Sequence, residues 1–211
     1  MYIPFIETDR LVQRREMAST RKQILDAAGR LIHLRGFHNT SVDDILSESG
    51  VGKGNLYYYF KSKDDLGFAA LDRTLERFRE EVLEAVFAPG GDPWKQLDAF
   101  LDYPVERARR EGCAGGCPLG NLVLEMSDIH EGFRMRLSQG FGQLRSTIEE
   151  TLGRARAQGT LRVGADTLRL AHFIIAGLEG AFMLGKLHRD VELMTSVIEE
   201  LKAHLAQYRV G

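Results

Sequence analysis

Beyond Lys63 the apolar positions of this chain recur at intervals of three and four almost without interruption, the period of helices that bury one face. Residues 62–87 read as one long helix, closed by Pro89-Gly90-Gly91. Pro93 opens another, which carries Trp94, Leu97, Phe100 and Leu101 to about residue 111. Gly112 to Gly116 is a break, after which Leu119, Leu122, Val123 and Met126 predict a short helix over 118–127. Residues 133–158, 166–187 and 191–208 complete the set, separated by Gly159, Gly164 and the stretch from His188 to Asp190. No period-two alternation and no internal repeat stand out. The pattern predicts an all-α fold, with a small three-helix head and a larger helical body.

The head carries the denser information. Ser41 is a cap-like residue with Asp44 three positions on, so a short helix starts there and stops at Gly50. A second helix follows a glycine turn, in Gly52-Lys53-Gly54-Asn55-Leu56-Tyr57-Tyr58-Tyr59-Phe60. Leu56 and Phe60 lie four apart and can bury on one face, leaving Lys53, Asn55, Tyr57, Tyr58 and Lys61 to project outward. That is the geometry of a helix-turn-helix, whose second helix enters the major groove of DNA. Lysines and helix-start N–H groups suit phosphates, while tyrosines can bond phosphate oxygens or pack on sugars and thymine methyls. The competing reading is that the tyrosines are half-buried packing and the lysines merely solvated.

Taken together, residues 20–71 resemble the N-terminal domain of the TetR family of transcriptional regulators. The matching elements are the helix from Arg21 to Ile32, then Arg35-Gly36-Phe37, Thr40-Ser41-Val42 and Ile45. Gly50, the Gly54 to Phe60 helix and Lys63-Asp64-Asp65-Leu66 follow in order. The family commonly carries His where this chain has Tyr59. The resemblance implies a homodimeric repressor on double-stranded DNA, with Thr40 and Ser41 touching phosphates. Lys53, Gly54, Asn55, Tyr57, Tyr58 and Tyr59 would make base and backbone contacts, and Lys61 and Lys63 would supply charge. It divides the chain into an extension over 1–19, a DNA-binding domain over 20–66, and an effector-binding and dimerisation domain over 67–211.

Composition adjusts this picture only slightly. With 44% hydrophobic and 27% charged residues the chain has the makeup of a globular protein. Its net charge of −2 hides an asymmetry: residues 1–63 hold 10 Lys+Arg against 7 Asp+Glu, the remainder 18 against 23. A mildly basic head on an acidic body suits DNA contact at one end. No run reaches about 18 uninterrupted apolar residues, since the richest, 170–185, is broken by His172 and Glu179. With no signal pattern at the start, a cytoplasmic location and reduced cysteines are expected. Residues 1–16 show Pro4 and no clear helical period, whereas Met17-Ala18-Ser19-Thr20 leads into a capping pattern ending at Gln23. Met17 is therefore the expected start. The rival is an arm whose Arg10, Arg14 and Arg15 reach the minor groove.

In the body, Leu170, Ile174, Gly177, Ala181 and Leu184 share one face at helical spacing, with small residues that admit a second helix. The family resemblance implies that the last two helices pair with those of another copy. The plainer alternative is packing within one subunit. A two-fold dimer would set two recognition helices about 34–36 Å apart and so select a palindromic operator.

Cys113-Ala114-Gly115-Gly116-Cys117-Pro118-Leu119-Gly120-Asn121 is the most suggestive stretch of the body. It resembles a TetR subgroup with a cysteine at the start of the sixth helix, some of whose members respond to electrophiles or oxidants. A helix N-terminus would favour the Cys117 thiolate, with Cys113 as a resolving thiol. Alternatively Cys117 is a small buried hydrophobe, and the effector is an apolar metabolite held among Trp94, Phe100, Phe141, His172 and Phe173. Those aromatic residues also suit a core. The six histidines show no metal-ligand spacing, and Gly50 to Gly54 lacks the strand that precedes a phosphate loop, so no metal or other cofactor is expected. A thiol oxidoreductase built on the two cysteines, or a helical interaction module, would each leave the head's lysines and tyrosines unused.

Overall fold

The computed structural model describes the backbone of residues 5–210 and the side chains of residues 18–210. Nine α-helices follow one another among the described residues: α1 (Phe5–Arg35), α2 (Val42–Ser49), α3 (Lys53–Tyr59), α4 (Lys63–Phe78), α5 (Pro93–Glu111), α6 (Pro118–Met126), α7 (Glu131–Ala157), α8 (Thr167–His188) and α9 (Val191–Ala206). The all-α expectation holds. The described residues contain no strand, only a single antiparallel bridge between Leu161 and Arg209.

Two boundaries differ from the sequence reading. Helix α1 begins at Phe5, so the stretch expected to lie outside the first helix is helical up to and through Met17. That stretch has no amphipathic period, but Leu11, Gln13, Arg14, Arg15, Glu16 and Met17 are all good intrinsic helix formers. The side chains of Arg10, Arg14 and Arg15 lie outside the described residues. The single helix expected over 62–87 changes character at Arg79–Glu84, which forms a π-helical turn. Arg79 pairs there with Glu76 and with Glu84, the latter five residues on, a spacing that suits the wider turn.

The chain divides into two compact units, Met1–Thr74 and Leu75–Gly211. In the first, α1 packs on α2 and α3. Its interior is apolar: Ile24, Leu25, Ala28, Leu31, Phe37, Ile45, Leu56, Phe60 and Leu66 are all buried. Gly50 ends α2 at φ 68°, a left-handed conformation that costs glycine nothing and that lets the chain turn sharply into α3.

In the second unit, α8 packs against both α7 and α9, and α5 also meets α7 and α9. Asp92, Asp166 and Asp190 accept N–H groups from the first turns of α5, α8 and α9, which explains where those helices start. Trp94, Leu97, Phe100 and Leu101 of α5 meet Leu144, Ile148 and Leu152 of α7 and Leu170, Ile174, Leu178 and Ala181 of α8 in one core. By length and composition α8 is apolar enough to span a bilayer. Its composition has a different source, because α8 is apolar on two sides. One side faces this core, and an adjacent stripe of Phe173, Ala176, Gly180, Met183, Leu184 and Leu187 is exposed or half-buried.

Candidate functional site

Helix α3 is held by two buried side chains one turn apart. Leu56 and Phe60 sink into the first unit's core, and the opposite face is left to solvent. Lys53, Gly54, Asn55, Tyr57, Tyr58 and Lys61 are all exposed, with Tyr57 at 48% and Tyr58 at 69%. Two bare phenols side by side rule out the packing alternative for these two residues. Tyr59 is half-buried and presents an edge to the Tyr58 ring, with centroids 5.0 Å apart. An added Cβ at Gly54 would meet nothing within 4 Å, so the chain's own packing does not require glycine there.

Thr40 and Lys63 depart from expectation, whereas Ser41 forms the expected cap. The Thr40 side chain is fully buried and donates its hydroxyl to the Gly36 carbonyl at 2.7 Å. It fixes the turn after α1 and cannot touch a phosphate directly. Ser41 is exposed, yet its Oγ accepts the Asp44 N–H at 3.0 Å while its own N–H donates to Asp44 Oδ2 at 2.8 Å. This capping box holds the Asp44 carboxyl below its ordinary range, through the Ser41 hydrogen bonds. Lys63 lays its ammonium 4.6 Å over the Phe37 ring and donates to the His38 carbonyl at 3.3 Å, so its charge is tethered to the head rather than displayed.

In the second unit Cys117 caps α6. Its sulfur accepts the Gly120 N–H at 3.3 Å, and the thiol is also hydrogen-bonded to the Glu179 carboxyl of α8. The expected activation by the helix dipole is overturned. Burial, then the nearby Glu179 carboxylate, push the thiol well above its ordinary value, outweighing the helix-start N–H bonds. Burial likewise raises the Glu179 carboxyl, opposed by the hydrogen bond from Cys117. Cys113, placed in the loop before α6, is raised by burial and by Asp190, partly offset by Arg189.

The glycines of this segment have a packing reason. A Cβ at Gly120 would collide with the Glu179 carboxylate, so glycine makes the space through which Glu179 reaches Cys117. Asn121 donates to the Gly115 carbonyl at 2.6 Å and accepts from Lys186 Nζ at 3.2 Å, fastening the loop to α8. Glu179 and Lys186 were not singled out from the sequence as site residues. Glu179 carries one sequence signal, a charge that breaks the apolar run 170–185, and Lys186 lies just beyond that run.

The proposed aromatic pocket does not assemble. Trp94 and Phe100 are buried core residues, Trp94 donating its indole N–H to Thr160 Oγ1 at 3.1 Å. Phe141 is half-buried, and His172 and Phe173 are exposed. A cavity of about 40 Å³ lies elsewhere, between α5, the Cys113 loop and the α8–α9 pair, lined by Arg107, Glu111, Cys113, Phe182, Lys186 and Met194 among others. None of the five aromatic candidates lines it.

Most of the α8 column expected to meet a second copy is taken up inside the subunit. Leu170, Ile174 and Ala181 are buried in the subunit's own core, and the Cα of Gly177 faces the Leu201 side chain of α9. Gly177 and Leu184 are half-buried, and Leu184 belongs to the exposed or half-buried stripe. The stripe also includes Gly180, where an added Cβ would meet nothing.

A short helix with buried anchors, a left-handed glycine turn before it and exposed lysine, asparagine and phenols on its outer face define a helix-turn-helix regulator of the DNA-binding class. Residues 24–70 match the family described as bacterial regulatory proteins, tetR family, and residues 93–201 match the tetracyclin repressor-like C-terminal domain. An uncharacterized HTH-type transcriptional regulator from the lacX 3' region of Lactococcus lactis is 33% identical over 186 residues, covering 88% of this chain and 93% of that protein. A TetR transcriptional regulator from Chloroflexus aurantiacus superposes with a TM-score of 0.86 at 30% identity, over 93% of this chain and all of that one. The HTH-type transcriptional repressor NemR of Escherichia coli is 24% identical, with 89% of this chain and 94% of NemR covered. The crystal structure of its reduced form superposes with a TM-score of 0.80 over 91% of this chain and 97% of that one.

The chain belongs to the TetR family. It is a DNA-binding transcriptional regulator and not an enzyme.

Proposed function

We propose that the chain is a cytoplasmic homodimeric repressor that holds a palindromic operator through α3 and releases it when an electrophile modifies Cys117. The exposed outer face of α3 carries the first half of this reading. Lys53, Lys61 and the adjoining Asn55, Tyr57 and Tyr58 side chains suit phosphates and base edges together. In this reading the first unit is the DNA-binding domain and the second senses and dimerises.

The exposed α8 stripe supports the dimer. Its residues fall at helical spacing, Gly180 and Ala176 admit close approach, and His204 of α9 adjoins the stripe. Phe173 and His204 already pack together there, with ring centroids 4.7 Å apart.

For the signal, the thiol reading is favoured over a pocket for an apolar metabolite, because Cys117 has a built environment and the five aromatic candidates do not converge. NemR, named a repressor and crystallised in a form called reduced, adds to this support.

The test is release. With the protein bound to labelled DNA from upstream of its own gene, N-ethylmaleimide is expected to lower fluorescence anisotropy to that of free DNA. Cys117→Ser should bind the same DNA and stay bound. Release of the Cys117→Ser protein at the wild-type rate contradicts the assignment of the signal to this thiol.

A further inference from the structure

We propose that Glu179 is the general base that takes the Cys117 proton as the thiol adds to an electrophile. The inference rests on the thiol-sensing reading above and names the residue that makes such sensing workable. Cys117 is half-buried with a desolvated thiol, a poor nucleophile, because the thiolate is the reactive form and desolvation disfavours it. The helix start does not compensate at Cys117. A partner base within hydrogen-bond reach is the standard remedy for a weak nucleophile. Glu179 is in that position. It comes from a different helix, and it is hydrogen-bonded to the thiol. It reaches the thiol only because residue 120 has no side chain.

The proton balance favours this route. Before reaction the pair holds one proton and one negative charge, S–H beside a carboxylate. Moving the proton across the hydrogen bond keeps both inside the same site, so no further charge is buried. When the sulfur attacks the alkene carbon of a maleimide, the S–C bond forms and the S–H bond breaks. The proton passes to a Glu179 oxygen, and the alkene electron pair becomes the enolate. The enolate carbon then takes the proton back, and Glu179 returns to carboxylate. The sum is addition of S–H across C=C, with nothing oxidised or reduced. Burial of the Glu179 carboxyl helps, since a raised carboxyl is a stronger base when ionised.

The other charged groups around the pair are engaged elsewhere. Lys186, on the same helix, gives its Nζ to Asn121 Oδ1 at 3.2 Å. From α5, Arg107 pairs with Glu111 at 2.9 Å beside the neighbouring cavity. Glu125 follows Cys117 on α6 and is half-buried.

The experiment is pulsed labelling of the full-length protein with N-ethylmaleimide from about pH 5 to about pH 9, read residue by residue by peptide mass spectrometry. In wild type the Cys117 rate should rise through the titration of Glu179 and then level off. In Glu179→Gln it should be lower by about 100-fold near pH 7 and climb about tenfold per pH unit. Cys113 is the internal reference and should label alike in both proteins. Melting and operator binding of the unmodified variant report whether it is folded. If it is not, the wild-type profile alone decides, a plateau supporting the base and an unbroken tenfold-per-unit climb overturning it. Equal Cys117 rates in the two proteins overturn the base and leave the sensor reading standing. Absence of label on Cys117 in both, with Cys113 labelled, overturns the sensor reading and the base together.

Discussion

Tyr58→Ala is expected to weaken operator binding severely and leave the fold untouched. The side chain is 69% exposed, so truncating it opens no cavity, and its edge contact with Tyr59 is a surface contact. At the DNA the loss is larger. A contact that reads a base edge is worth about 1–3 kcal/mol, and a two-fold dimer loses it twice. Affinity should therefore fall by at least about 30-fold, with little change in melting temperature. Because tyrosine carries no charge, the salt dependence of the residual binding should keep its slope. Anisotropy titrations of both proteins at two salt concentrations check this. Unchanged affinity would show that the outer face of α3 is not what meets DNA.

The second large effect is expected at the other end of the chain. Replacing both Met183 and Leu187 by Glu places four carboxylates in the two-fold interface that the exposed α8 stripe would form. Met183 is 60% exposed and Leu187 is 69% exposed in the isolated subunit, so the double substitution should leave the subunit fold intact. Burying unpaired carboxylates against apolar surface costs several kcal/mol, enough to make the protein monomeric at micromolar concentration. Sedimentation should show half the wild-type mass. Operator affinity should collapse with it, since a monomer engages one half-site only. A variant that still sediments as a dimer places the interface elsewhere.

These two surfaces were not equally legible in the chain. The head could be read directly because short-range rules govern it. Ser41 and Asp44 form the capping box their spacing announces, Gly50 turns left-handed, and Leu56 and Phe60 bury while Tyr57 and Tyr58 do not. What the same rules could not see was competition for a polar side chain. Thr40 and Lys63 looked available for DNA, and both are taken by backbone carbonyls of the turn between α1 and α2.

The body was harder because α8 is apolar around most of its circumference. Spacing alone gives the column Leu170, Ile174, Gly177, Ala181 and Leu184 no preference between core and partner. Only the contacts with α7 and α9 show that the core takes this column and leaves the next one exposed. Cys117 illustrates the converse limit. Its place at a helix start was legible, but the sign of its shift depends first on burial and then on Glu179, 62 residues away along the chain.

Whether the α3 face binds a specific operator is read without intermediaries by fluorescence anisotropy. The wild-type protein is titrated against the duplex from upstream of its own gene and against a random duplex of equal length, each at low and at physiological salt. Tight binding is expected on the first duplex, weaker by several orders of magnitude on the second, with affinity for both falling steeply as salt rises. Equal and weak binding to the two duplexes, indifferent to salt, would contradict operator binding by α3.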